Sequence, residues 1–397
     1  MRTRIHRETS SLGMQFKLII LSWSNFDRRI NEQFDLPYII EKGANVEYWD
    51  VSEITIKGYK VNGTESPVGL KNVKISDYKS FSRRIEEERN SFFLIYMNYC
   101  YQSFRCYRIL SKYNCRQIYC VNGVLPSAST ASKYKQFVRK LSFNSIRSLT
   151  CRLMCSLIEK SFLIKAVDVM LKTCENASSR GGCKVSNHTR ILPFNSLDYQ
   201  LTLLTKDDNN LSNRRYIVFL DQYLPFHPDN IMRGFNYDAD DYYKRMNSLF
   251  ERIEKNFSCE VIIAGHPAVV NRKKYSEFYN NRKVEYDCTL NLIRGSIATI
   301  AHFSTAISFS VIYDKKIVFV FTEDMKRKSP VQYSTGRTMC EMLDSSFIYL
   351  SDNEDYNLPP DLSINQFAYE DYKKKFLVNK KTNKRRNGEI LIKLLNK

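Results

Sequence analysis

Only five histidines occur in the chain, and three of them, His227, His266 and His302, lie in the second half near the ends of short apolar runs. Each run ends in residues that could do chemistry. The first, 216–221, closes on Asp221. A carboxylate at the carboxyl end of a strand could take a proton from an acceptor hydroxyl, or simply cap the next turn. The loop beyond it carries a His-Pro pair, His227-Pro228. The second run, 260–264, leads into Gly265-His266-Pro267. Glycine allows a tight turn and proline fixes the backbone after it, so His266 is held at the strand tip. There it could donate to a phosphate or protonate a leaving group; the plainer alternative is a bond to a nearby carbonyl. The third run, 297–301, passes through His302-Phe303 to Ser304-Thr305. These last two are expected at the N-cap and first turn of a helix over 306–313. The free N–H groups there would suit a phosphate, and plain capping is compatible with that role. His302 joins this site or packs beside the strand end.

These segments need strands and helices to position them. Apolar runs at 16–21, 45–51, 91–97 and 116–121 read as strands, with helical spacing at 34–42 and 99–113. The stretch 141–173, free of Gly and Pro, reads as one or two helices. Residues 176–186 and 206–215 read as loop and linker. The alternation then restarts, with strands at 216–221, 260–264, 297–301 and 316–321 and helices at 238–257, 289–294 and 306–313. Strand–helix alternation implies an α/β fold with parallel sheets, whose ligands bind beyond the carboxyl ends of the strands. The expected organisation is an N-terminal Rossmann-like domain over 1–205 and a second over 206–365, to which the resemblance given below assigns acceptor and donor binding. A basic tail follows over 366–397. Between 373 and 397 it has ten Lys or Arg against one acid, Glu389. Residues 389–395 could form an amphipathic helix that lies on anionic lipid, or a merely solubilising terminus.

Composition limits the function classes. With 43% hydrophobic and 26% charged residues the chain is globular. Its formal net charge of +19 suits anionic partners. No apolar run approaches the roughly 20 residues needed to span a bilayer. The first 13 residues are polar and basic, which is unlike a secretory leader, and Met14 is an alternative start. The 11 cysteines form no CxxC pair and have no zinc-finger spacing, as expected of reduced thiols in the cytoplasm. No GxGxxG, P-loop or GxSxG motif occurs. The DxD at Asp238–Asp240 reads as first-turn helix charge. A nucleic-acid-binding protein is the rival suggested by the charge, but no recognised motif supports it.

A strand-end acid, then strand-Gly-His-Pro, then strand-His-x-Ser-Thr-helix, in that order, resembles bacterial sialyltransferases, polysialyltransferases and related GT-B transferases of surface-polysaccharide synthesis. The resemblance covers about 214–322. It implies an α/β fold of GT-B type, two facing Rossmann-like domains with a cleft between them. It also implies metal-independent, inverting transfer with no cofactor beyond the nucleotide-sugar co-substrate. Carried onto this sequence, Asp221 would be the base. His266, with Gly265 and Pro267, and Ser304 with Thr305 would hold the donor phosphate. The family's acidic motif is usually two acids and a glycine; here it reads Asp221-Gln222-Tyr223. The donor implied is a CMP-linked acidic sugar such as sialic acid, with a UDP-sugar or CDP-glycerol as the alternative. The acceptor would be a glycan or lipid-linked glycan of capsule or lipopolysaccharide. The location implied is the cytoplasm, peripheral at the inner face of a bacterial membrane. A non-catalytic relative of the same fold is the remaining alternative.

Overall fold

A computed structural model describes residues 16–56, 64–123, 126, 153–154, 156–157, 163–178, 182–205, 214–351 and 356–396. The N-terminal half contains β1 (Lys17–Ser22), α1 (Arg28–Phe34), α2 (Leu36–Glu41), β2 (Asn45–Asp50), α3 (Ser52–Thr55) and β3 (Lys71–Lys74). It continues with α4 (Tyr78–Glu87), β4 (Phe92–Tyr96), α5 (Phe104–Lys112), β5 (Arg116–Val121), β6 (Val169–Lys172) and β7 (Arg190–Pro193). These strands form one parallel sheet in the order β3-β2-β1-β4-β5-β6-β7. Helix α6 (Leu197–Leu204) follows. The C-terminal half contains β8 (Tyr216–Leu220), α7 (Pro228–Met232), α8 (Ala239–Phe257), β9 (Glu260–Ala264), β10 (Val284–Glu285), α9 (Thr289–Gly295) and β11 (Ala298–Ala301). It ends with α10 (Ile307–Ile312), β12 (Lys316–Thr322), α11 (Glu323–Lys328), α12 (Pro330–Met342) and β13 (Phe347–Leu350). The second parallel sheet runs β10-β9-β8-β11-β12-β13. In both sheets the first three strands run outward in one direction and the fourth then pairs on the other side of the first, so the strand order switches beside β1 and β8, as in doubly wound Rossmann sheets. The central strands are buried on both faces, so their sequences are continuous apolar runs such as Tyr216-Ile-Val-Phe-Leu220.

The two halves share a cleft of about 990 Å³. Its walls include Tyr96 at the end of β4, Asn122 and Gly123 beyond β5, Leu220 and Asp221 at the end of β8, and Ala264–Pro267 beyond β9. The carboxyl ends of both sheets therefore face one cavity. Two Rossmann-like halves across such a cleft are the GT-B architecture.

The chain end corrects one expectation. Residues 366–396 do not trail from the surface. Helix α13 (Gln366–Tyr372) packs on the C-terminal half, where Tyr369 donates to the Lys315 carbonyl at 3.0 Å. The chain then crosses to the N-terminal half through Glu175 N–H to Lys374 O at 3.2 Å and Asn176 N–H to Lys375 O at 3.0 Å. Helix α14 (Asn387–Leu395) buries Ile390, Leu391, Leu394 and Leu395 in the same core as Leu18, Ile20 and Phe34. Asn387 is fully buried and donates through Nδ2 to Gln33 O at 2.7 Å, while its Oδ1 accepts from Asn195 N–H at 2.9 Å. Arg386 pairs with Asp35. Much of the basic charge is also matched: Lys373 with Asp314, Lys374 with Glu175, Lys375 with Asp371 and Lys380 with Glu370. The apolar face of 389–395 is thus used inside the protein and is not free to lie on lipid.

The predicted helical stretch 141–173 is corrected at its end, where Val169–Lys172 is strand β6; most of the rest lies outside the described residues. The alternative start at Met14 and most of the 206–215 linker lie outside them too.

Candidate functional site

The carboxylate at the end of β8 borders the cleft but is nearly buried, and its oxygens are fully hydrogen-bonded. Asp221 is 5% exposed. Its Oδ1 accepts from Tyr223 N–H at 2.8 Å and Tyr279 OH at 3.0 Å. Its Oδ2 accepts from Tyr275 OH at 2.9 Å and, more weakly, His266 N–H at 3.4 Å. These donors fill the lone-pair sites of a carboxylate. Burial pushes its pKa up, and the four donors oppose that shift. Tyr223, at φ +51°, is a left-handed residue in a turn that the Asp221 side chain closes. Asp221 thus ties the loops after β8 and β9 together. The two tyrosines come from one 3₁₀ turn, Tyr275–Tyr279, and Tyr275 also meets Tyr243 hydroxyl to hydroxyl at 3.0 Å. Sequence reasoning missed both. They lie 54 and 58 residues from Asp221, and no local pattern links them to it.

The β9 tip is open. His266 is half-buried and Pro267 exposed, and both line the cleft. Gly265 is needed for close approach rather than for a special turn: a Cβ there would lie 2.4 Å from the Tyr286 ring. Ala268 N–H donates to His266 Nδ1 at 3.2 Å. Burial lowers the His266 pKa, neighbouring His227 lowers it further, and Asp221 opposes both. His227 caps α7, its Nδ1 accepting from Asp229 N–H at 3.2 Å. The two imidazoles meet edge to face with centroids 5.0 Å apart.

The β11 tip divides. His302 is fully buried. Its Nδ1 donates to Val320 O at 2.6 Å, and Tyr242 OH donates to its Nε2 at 2.9 Å. Burial pushes its pKa down to about 4. The structure therefore places His302 in the core, with both ring nitrogens engaged. Ser304 and Thr305 line the cleft, but two residues ahead of the expected position: α10 begins at Ile307, with Ala306 as its N-cap. Ser304 Oγ accepts from Ala306 N–H at 3.2 Å.

The facing wall holds residues that sequence reasoning did not select. Arg28, Arg29 and Glu32 of α1 line it, Arg28 bonding Glu32 at 2.6 Å. Asp198, in the first turn of α6, lines it as well and accepts from the Ser308 hydroxyl of α10, so it bridges the halves. Enclosure pushes its pKa up, opposed by Ser308 and by the nearby positive charge of Arg29. The visible signal was Asn195-Ser196-Leu-Asp198, a capping serine followed by a first-turn acid, which also describes any surface helix.

Beside the cleft is a smaller pocket of about 310 Å³. His266, Ser304 and Thr305 line both cavities, and His227, Gln222, Asn230 and Gln332 line the smaller one.

No protein-family model matches the chain, and no curated protein matches it either. Solved structures share its general shape. A variant of the wall teichoic acid polymerase TagF aligns over 96% of this chain and 89% of its own, with TM-score 0.48 and 13% identity. The UDP-GlcNAc 2-epimerase of Methanocaldococcus jannaschii aligns over 96% and 99%, with TM-score 0.46 and 11% identity. MurG of Acinetobacter baumannii aligns over 85% and 86%, with TM-score 0.40 and 8% identity.

Proposed function

We propose that the protein is a glycosyltransferase-type enzyme. It would move a sugar from a UDP-sugar, by attack at the sugar carbon with loss of UDP, or a polyol phosphate from a donor of the CDP-glycerol class, by attack at phosphorus with loss of CMP, to a glycan or lipid-linked glycan acceptor. The observation that carries this reading is the convergence of His266, Ser304 and Thr305 on one wall of a cleft between two Rossmann-like halves. Donors fixed at strand tips stabilise charge that develops on a departing phosphate. Asp221 serves this site by anchoring the His266 loop rather than by taking a proton, since its lone pairs are occupied. That weakens the link to CMP-linked sialic acid, which rested on a strand-end base. Asp198 takes the role of base. Its raised pKa makes the carboxylate a stronger proton acceptor, and it lies on the cleft lining. The acceptor oxygen would displace the nucleotide as its proton passes to Asp198.

The test is a thermal-shift panel of UDP, CDP, CMP, GDP and AMP on the wild type and on His266→Ala. Stabilisation by UDP or CDP that is lost in the variant supports the reading. Selective stabilisation by CMP returns the donor to the CMP-sugar class. A flat response to every nucleotide overturns the transferase assignment.

A further inference from the structure

Beyond capping α7, His227 sits against the one imidazole already placed at the site. Both rings are locked in the same tautomer. A backbone N–H can only donate, so the amides of Asp229 and Ala268 require unprotonated Nδ1 atoms on His227 and His266. Each neutral ring must then carry its proton on Nε2, and among the described residues nothing bonds to either Nε2. Two neutral imidazoles can stand 5.0 Å apart without repulsion, and each keeps one N–H donor for a ligand. They meet where the cleft and the smaller pocket join, beside Ser304 and Thr305. Gln332 lines that pocket too, and its Oε1 is buried without a partner, which leaves an acceptor for a ligand hydroxyl.

We infer that His227 and His266 form a two-imidazole clamp that donates both Nε2–H groups to a phosphate oxyanion at the mouth of the smaller pocket. This rests on the nucleotide-donor reading and adds a second phosphate-binding histidine to it. The clamp holds its ligand by directed hydrogen bonds rather than by net charge. Asp221 keeps its influence on His266 but spends its hydrogen-bonding capacity on its own four donors, and Asp229 of α7 and Arg233 just beyond it supply one charge of each sign to the pocket lining.

The experiment titrates pyrophosphate, UDP and uridine calorimetrically into the wild type, His227→Ala, His227→Asn and His266→Ala, with imidazole ¹⁵N NMR of the free protein. Asparagine still caps α7 but is too short to reach the phosphate, so His227→Asn should melt as the wild type does. Pyrophosphate affinity should fall about tenfold in each variant, as expected for losing one hydrogen bond to a charged group, with uridine binding unchanged. The NMR should show Nε2–H on both rings. Unchanged pyrophosphate affinity in His227→Asn, or a proton on His227 Nδ1, overturns the clamp. UDP binding that ignores His227 also overturns it while leaving the donor reading intact. Pyrophosphate binding that depends on His227, with no UDP binding, supports the clamp and removes the nucleotide reading.

Discussion

Two layers of the C-terminal half carry the same residue types a few ångströms apart and use them in opposite ways. Beneath the strand tips, Asp221 and His302 are sealed, every polar atom matched by a tyrosine, an amide or a carbonyl. Above the tips, His227 and His266 face the cavities with one ring nitrogen each uncommitted. Position at the end of a strand therefore does not decide whether an acid or a histidine keeps an atom open to the cavities. What decides it is whether the neighbouring aromatic layer closes over the side chain. Satisfied polar networks of this kind make a rigid floor, and a rigid floor is what lets the open layer hold fixed donors.

The contrast can be broken most directly at Asp221. Replacing it by alanine takes the acceptor from the buried Tyr279 hydroxyl and from the Tyr223 and His266 amides, leaves Tyr275 only the Tyr243 hydroxyl, and should cost about 3–5 kcal/mol in urea denaturation. A cost below about 0.5 kcal/mol would mean that Asp221 is not part of the floor. The same logic of closure applies to the chain end. Leu391→Ala, in a fully buried position of α14, should lose about 2–5 kcal/mol. A double Lys381→Glu and Lys384→Glu exchange on the exposed side should stay within about 0.5 kcal/mol; equal effects would return 389–395 to the surface.

His302 supplies a pH signature. Its pKa of about 4 in the folded state lies below the ordinary 6.5, so the unfolded chain binds the proton first and stability is lost as pH falls between these values. Over that window the loss attributable to His302 should approach about 3 kcal/mol, at 1.36 kcal/mol per pH unit. His302→Gln should show a flatter profile there, and a parallel profile would place His302 in solvent. Asp198 gives the smallest effect and the opposite sign. A raised carboxyl pKa favours the folded state when protonated and penalises it once ionised. Asp198→Asn should therefore stabilise the protein at pH 7, by under about 1 kcal/mol, with the gain fading as pH drops toward 3.8. It should also abolish turnover while nucleotide binding persists. A variant that remains fully active removes Asp198 as the base.

By itself the sequence determined the class of fold and pointed to the strand tips that border the cleft. Short apolar runs alternating with helical patterns read as strands covered on both faces, so β1, β2, β4, β5, β8, β9, β11 and β12 were legible, and with them the strand tips that carry His266, Ser304 and Thr305. The strands it did not reveal include β3, β7, β10 and β13, and these are the sheet edges. Edge strands are short and half-exposed, so their composition, as in Lys-Asn-Val-Lys of β3, lacks the apolar signal. Tertiary structure decided the rest. Whether Asp221 meets water depends on Tyr275 and Tyr279, which a local pattern cannot reach. Whether a basic tail floats or folds depends on a groove offered by the other half of the molecule. Contacts between residues far apart in the chain fix burial, and burial fixes which polar groups remain free to act.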